Sequence, residues 1–95
     1  MAVLLQLAAG PATQQQFDAL DARVGQSMKQ AGGPPAGLMS HVAYPEGGGF
    51  VIAEVWRTEA EGRPYVDDVL RPLLTELGLN AHETTVHPVW SFARP

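Results

Sequence analysis

The chain contains no cysteine. This excludes a disulfide framework, thiolate nucleophiles and any cysteine-based metal site, and it suits a reducing compartment. Basic residues are also scarce: six Lys and Arg against ten Asp and Glu leave a formal net charge of −4. They are scattered along the chain. No stripe can neutralise a nucleic-acid backbone, and no patch can hold an anionic membrane surface. No apolar run reaches the roughly 18–20 residues of a membrane-crossing helix. The apolar opening, Met1 to Ala9, lacks a basic leader segment and is interrupted at Gln6, so it reads as a first strand and not as a signal peptide. No G-x-G-x-x-G or P-loop precedes a helix, which leaves nucleotide cofactors without support. These absences predict a cytoplasmic protein with no nucleic-acid and no membrane partner.

What remains is ordinary globular material. The chain has 95 residues, 45% hydrophobic and 17% charged, enough for one small domain over 1–95 whose modest core a partner subunit would help to stabilise. Val3 to Ala8 is short and apolar, and Gly10-Pro11 ends it: a strand. Thr13-x-x-Gln16 is a capping box, and Phe17, Leu20, Val24 and Met28 follow at helical spacing. A Gly/Pro-rich stretch, residues 31–37, breaks the pattern. Leu38 to Tyr44 and Phe50 to Arg57 read as two strands of a hairpin joined through three glycines. Thr58-x-x-Glu61 opens a second helix with an apolar stripe from Val66 to Leu77, kinked or restarted at Pro72. Residues 83–92 read as a last strand, with Pro88 at an edge or bulge.

The order βαββαβ is that of a ferredoxin-like α+β fold: a four-stranded antiparallel sheet with two helices on one face, the first and third strands central. Val51, Ala53 and Val55 alternate with Phe50, Ile52, Glu54 and Trp56, so both faces of the third strand are largely apolar. A bare apolar sheet face marks an interface, and a homodimer with two sheets face to face is expected.

Gln6, His41 and Glu54 are the polar groups that interrupt the strands. Whether His41 and Glu54 share a face depends on hairpin register. Pairing Tyr44 with Phe50 sets Ser40 opposite Glu54 and sends His41 to the other face. Pairing Tyr44 with Val51 sets His41 opposite Glu54 and Met39 opposite Trp56. The second register is favoured, because a carboxylate on a central strand is costly to bury alone and His41 is the nearest group able to hydrogen-bond it. Such a pair either fixes register and nothing more, or lines a pocket between sheet and helices with Gln6, Tyr44 and Trp56 around it. In the pocket, His41 oriented by Glu54 would be a general base near neutral pH. Trp90, on the last strand, would be a ligand wall or a dimer contact. A metal site of His41, His87 and Glu54 needs all three on one face, and no H-x-H or H-E-x-x-H spacing supports one, so no metal is expected.

The strand Gly49-Phe50-Val51-Ile52-Ala53-Glu54-Val55-Trp56, running directly into a helix capped at Thr58, resembles the dimeric α+β barrel superfamily, and within it the small antibiotic-biosynthesis-monooxygenase-like proteins. The resemblance covers nearly the whole chain. It implies a homodimer with one pocket per protomer between sheet and helices, and chemistry ranging from cofactor-independent oxygenation of polyketide phenols to haem degradation, cyclisation or no known activity. The haem-degrading branch places an Asn on the first strand, a Trp on the third and a His on the second helix. Gln6 stands roughly where that Asn would be and Trp56 matches, but the second helix carries no histidine. The expectation is a small oxidoreductase of secondary or aromatic metabolism, without cofactor, acting on an apolar phenolic or polyketide-like molecule. His41 and Glu54 would be catalytic, and Gln6, Tyr44, Trp56 and Trp90 would bind substrate. The alternatives are a cyclase or isomerase using the same pair, or a non-catalytic homodimer that binds a ligand or partner.

Overall fold

The computed structural model describes residues 1–94. Four strands, β1 (Val3–Ala9), β2 (Leu38–Glu46), β3 (Gly49–Trp56) and β4 (Thr85–Pro88), form one antiparallel sheet in the order β2-β3-β1-β4. Helix α1 (Gln14–Gln30) joins β1 to β2. Helix α2 (Glu59–Tyr65), a π-helical turn (Val66–Leu70) and helix α3 (Arg71–Glu76) join β3 to β4. This is the expected ferredoxin-like arrangement, with β1 and β3 central.

Local chemistry accounts for the helix boundaries. Thr13 accepts from the Gln16 amide while the Gln16 side chain accepts from the Thr13 amide, so both halves of the first capping box form. At the second helix only half forms. Thr58 accepts from the Glu61 amide, and the Glu61 carboxylate accepts from the Thr58 hydroxyl and from Arg57 instead of from the Thr58 amide. Pro72 explains the π turn. It has no N–H to donate, and its ring crowds the carbonyl four residues earlier. The chain widens instead: the Arg71 amide bonds to the Val66 carbonyl, five residues back, and α3 then starts with the proline in its first turn. The apolar stripe survives this change of pitch, since Val66, Leu70 and Leu74 are all buried.

One face of the sheet carries the core. Val3, Leu5, Leu7 and Ala9 of β1 stand opposite Trp56, Glu54, Ile52 and Phe50 of β3, and all eight lie under the helices. Leu20 and Val24 of α1 and Val66, Leu70 and Leu74 complete the cluster. Leu4, Gln6, Ala8, Val42, Val51, Ala53 and Val55 alternate onto the other face, where Val51 is buried and Val42 is 53% exposed.

The hairpin turn fixes the register on which the site depends. Gly47 and Gly48 both adopt left-handed φ, 58° and 78°, as a two-residue turn of the I′ kind requires. That turn pairs Glu46 with Gly49, and counting back along both strands pairs Tyr44 with Val51 and His41 with Glu54. One detail differs from the sequence reading: a bulge between Leu38 and Ser40 sets Leu38, and not Met39, opposite Trp56. A bulge places two residues against one, so the strand shifts by one position there.

Candidate active site

Glu54 is the one charged residue buried among the described residues, with 1% of its surface exposed. Its carboxylate is held by two donors. The Trp56 indole N–H reaches Oε1 at 3.1 Å, and His41 Nδ1 lies 2.8 Å from Oε2. Trp56 follows two residues after Glu54 on the same strand face, and His41 is the cross-strand partner, so β-sheet periodicity alone brings the three together. An ionised carboxylate only accepts, so Nδ1 carries the hydrogen in this contact. The opposite ring nitrogen, Nε2, has no hydrogen-bond partner among the described residues.

The His41 side chain is 31% exposed, so the pair runs from a dry interior to the surface. Its pKa is raised above the ordinary imidazole value, chiefly by the hydrogen bond to Glu54; burial opposes this, and the charges of Glu54 and of Asp21 on α1 add to it. Tyr65, at the end of α2, stacks obliquely on Trp56 with ring centroids 5.5 Å apart. Its hydroxyl is buried without a hydrogen-bond partner, and its pKa is pushed up to about 12 by burial and then by the Glu54 charge.

A cleft of about 540 Å³ lies between the start of α1 and the β2–β3 hairpin, and neither His41 nor Glu54 lines it. Phe17, Ala43, Pro45 and Phe50 give it apolar walls, and Thr13 and Glu46 are at its polar rim. Phe17 and Phe50 meet edge to face at 5.0 Å and form its floor. His41, Ala43 and Pro45 alternate onto one face of β2, and Phe17 and Asp21 are one turn apart on α1. His41 and Ala43 thus share the face of β2 that meets the helices, with Ala43 at the cleft.

The other sequence-predicted site residues separate. Trp56 belongs to the group but not as a substrate wall: it is 0% exposed, and α2 packs directly upon it. A Cβ on Gly62 would lie 2.7 Å from the indole, so the space expected between Trp56 and the second helix is filled. Gln6 pairs with Ala53 and Thr85 and points to the open face, because Leu5 and Leu7 on either side take the helical face. Tyr44 borders the cleft, but its position opposite Val51 places its side chain on the open face as well. Trp90 lies beyond β4 and is 94% exposed, so it walls nothing in this chain. The strand ends at Pro88, which cannot donate to a ladder, well short of residue 92. His87 stands opposite Leu4 on the open face, so it cannot join His41 and Glu54 around a metal. Asp21 and Tyr65 were not identified from sequence. Asp21 is one acidic residue among many until the rotation of α1 is known, and Tyr65 precedes a π turn that no local pattern announces.

No protein-family model matches the chain, and none of the curated proteins matches it in sequence. Solved structures do match it in fold. SnoaB, a cofactor-independent oxygenase from Streptomyces nogalater, superimposes with a TM-score of 0.60 at 14% identity, over 96% of this chain and 93% of its own. A protein assigned as an antibiotic biosynthesis monooxygenase from Deinococcus radiodurans gives a TM-score of 0.62 at 13% identity, over 100% and 98% of the two chains. Rv0793 from Mycobacterium tuberculosis gives 0.60 at 17%, over 97% and 99%. The chain thus shares its fold with these solved structures, antibiotic-biosynthesis-monooxygenase-like proteins among them.

Proposed function

We propose that the protein is a small monooxygenase-like enzyme that works without a cofactor on an apolar phenolic or polyketide-like molecule. The observation that carries this reading is the His41–Glu54 hydrogen bond, a buried carboxylate holding a part-exposed imidazole. An apolar cleft lined by Ala43, two residues along the same face of β2, would take the substrate. The oxygenase named among its structural neighbours supports the reaction class. Glu54 keeps the proton on Nδ1, which leaves Nε2 to accept one from the substrate. Loss of an acidic C–H proton to Nε2 makes an electron-rich carbanion or phenolate. The carbanion carbon supplies the electrons that reduce dioxygen. A C–O bond forms, the peroxide takes back a proton, and loss of water leaves a carbonyl. One CH2 and one O2 become one C=O and one H2O, so no outside reductant is needed. In the same reading the open sheet face, where Val42 is 53% exposed, packs against a second copy of the single 1–95 domain.

The test is oxygen uptake by the purified protein with a panel of anthrones and naphthols, with no metal or flavin added. One oxygen should be consumed per quinone formed, without hydrogen peroxide. His41→Gln should lower turnover by about 10²–10⁴-fold, the usual worth of a positioned base. Uptake unchanged in that variant would sink the reading. Product formed without oxygen uptake would replace oxygenation with cyclisation by the same pair.

A further inference from the structure

Topology fixes how helix α1 runs past strand β2. Strand β2 pairs antiparallel with β3, and β3 with β1, so β2 is parallel to β1. Helix α1 leads from the end of β1 to the start of β2 and therefore runs against both. Phe17 of α1 and Ala43 of β2 both line the cleft. Four helical residues on from Phe17 advance about 6 Å, and two strand residues back from Ala43 cover about 6.6 Å in the same direction. Those steps end at Asp21 and at His41. Asp21 thus stands across from His41, one turn on from the cleft wall.

Asp21 is exposed and sits inside α1, where it caps nothing. Aspartate is a poor residue for a helix interior. The ion pairs among the described residues take up Glu54, Glu59, Glu61, Asp67 and Glu76, and they leave Asp21 out. Arg23 is the nearest cation on the same helix, at a spacing of two residues that turns the side chains apart. It is held instead by Glu76 of α3, through bonds of 3.1 and 2.9 Å. The Asp21 charge is therefore not neutralised along its own helix. Its field does reach His41, where Glu54 from β3 and Asp21 from α1 are the charged groups that raise the imidazole pKa.

We propose that Asp21 is a positioning residue for the reaction. From across the gap between helix and strand it stabilises the imidazolium that forms when Nε2 takes a proton, and so shares with Glu54 the control of base strength. The two carboxylates act differently. Glu54 is buried and bonded to Nδ1, so dissolved ions screen it little. Asp21 is exposed and acts through space, so salt cancels its share. The base then has one part of its strength fixed by the fold and another set by ionic strength. The inference rests on the reading of His41 as the base, but its first test needs no turnover.

That test is a titration of the His41 ring in the full chain carrying labelled histidine, its signal assigned by its absence in His41→Gln. It is run at about 0.02 M and about 0.5 M salt, between which the screening length falls from roughly 20 Å to roughly 4 Å. At low salt Asp21→Asn should lower the proton affinity about two- to fivefold, the effect of one charge roughly 7 Å away in a largely aqueous medium. Added salt should bring the parent close to the variant and move the variant less. Asp21→Glu should keep most of the effect. Asp18→Asn removes the same charge three residues earlier on α1 and should leave the titration in place. In turnover, the acid limb of kcat/KM should move to lower pH in Asp21→Asn by the same factor. A titration unmoved by Asp21→Asn overturns the inference. So does an equal shift in Asp18→Asn, which would trace the effect to net charge and not to placement. If the titration moves as stated but no substrate is ever turned over, the catalytic reading fails and the control of His41 by Asp21 stands. If turnover proceeds and the titration does not move, the inference fails and the catalytic reading stands.

Discussion

Trp56 donates its indole N–H to the carboxylate of Glu54, two residues earlier on the same strand and the same face, at 3.1 Å. Both side chains are buried, so this bond lies in a low-dielectric interior where a hydrogen bond to an ionised group is worth roughly 1.5–3 kcal/mol. Glu54 and His41 thus form a pair with an anchored end and a free end. Trp56 holds the carboxylate, the carboxylate holds Nδ1, and Nε2 is left without a partner among the described residues.

Glu54→Gln separates orientation from charge. The amide oxygen can still accept from Trp56 or from His41, but the negative charge is gone. The His41 pKa should then fall below its present raised position, because burial, which lowers it, is no longer outweighed by Glu54. Stability should drop by about 2 kcal/mol as charge-assisted bonds become neutral ones. An NMR titration of the His41 ring and a urea melt measure the two effects. An imidazole pKa unmoved by the substitution would mean that Glu54 does not control the His41 titration.

The same pair sets a pH dependence of stability. His41 is raised in the native state, so its contribution is complete below the ordinary value of 6.5. It is lost as pH rises through the higher native value, because the native state there binds more protons than the unfolded chain. Denaturation midpoints should therefore decline as pH rises above 6.5 and through the raised native value, by no more than about 1.4 kcal/mol per pH unit for one proton. His41→Gln should flatten that limb. A wild-type profile that rises over the same range would contradict the geometry.

The βαββαβ order, the cap at Thr13 and the hairpin were legible because each rests on local chemistry: a hydroxyl three residues before an amide partner, glycines between two apolar runs. The His41–Glu54 pairing was legible only up to a choice of register. A three-residue loop and a two-residue turn both fit three consecutive glycines, and the positive φ of Gly47 and Gly48 decides between them. Gln6 failed for a different reason. Leu4, Leu5, Leu7 and Ala8 are apolar on both sides of β1, so alternation does not say which face meets the helices. The expected pocket at Trp56 failed because Gly62, unremarkable in sequence, lets α2 settle onto the indole. The cleft forms instead where the first turn of α1 meets the hairpin, two elements far apart in the chain.

Tyr65 supplies a test with two readouts. Its hydroxyl is buried without a partner, and such a group costs about 1–3 kcal/mol of desolvation. Tyr65→Phe removes that cost and keeps the ring against Trp56, so stability near neutral pH should hold or rise, by up to about 1 kcal/mol. In alkali the sign is also fixed. The native pKa is pushed up to about 12, above the ordinary 10, so the neutral phenol's contribution is complete below 10 and is lost as pH climbs toward 12. That alkaline decline should shrink in the Phe variant. A Phe variant clearly less stable at neutral pH would show that the hydroxyl has a partner after all.

Gly62→Ala tests whether α2 is seated on Trp56 as tightly as the geometry states. Alanine favours a helix over glycine by up to about 1 kcal/mol, and the position has no positive φ that only glycine tolerates, so propensity alone predicts stabilisation. Packing predicts the reverse. The added methyl would lie 2.7 Å from the Trp56 ring and 2.8 Å from Leu5, and both neighbours are fully buried with nowhere to retreat. Overpacking of this kind costs typically 1–3 kcal/mol, which exceeds the helix gain. The helix should lift, Trp56 fluorescence should shift to the red, and the His41 pKa should move because the indole no longer holds Glu54 in place. A variant as stable as the parent, with unchanged emission and an unchanged imidazole titration, would mean that the indole is not clamped and that the order of the pair has another source.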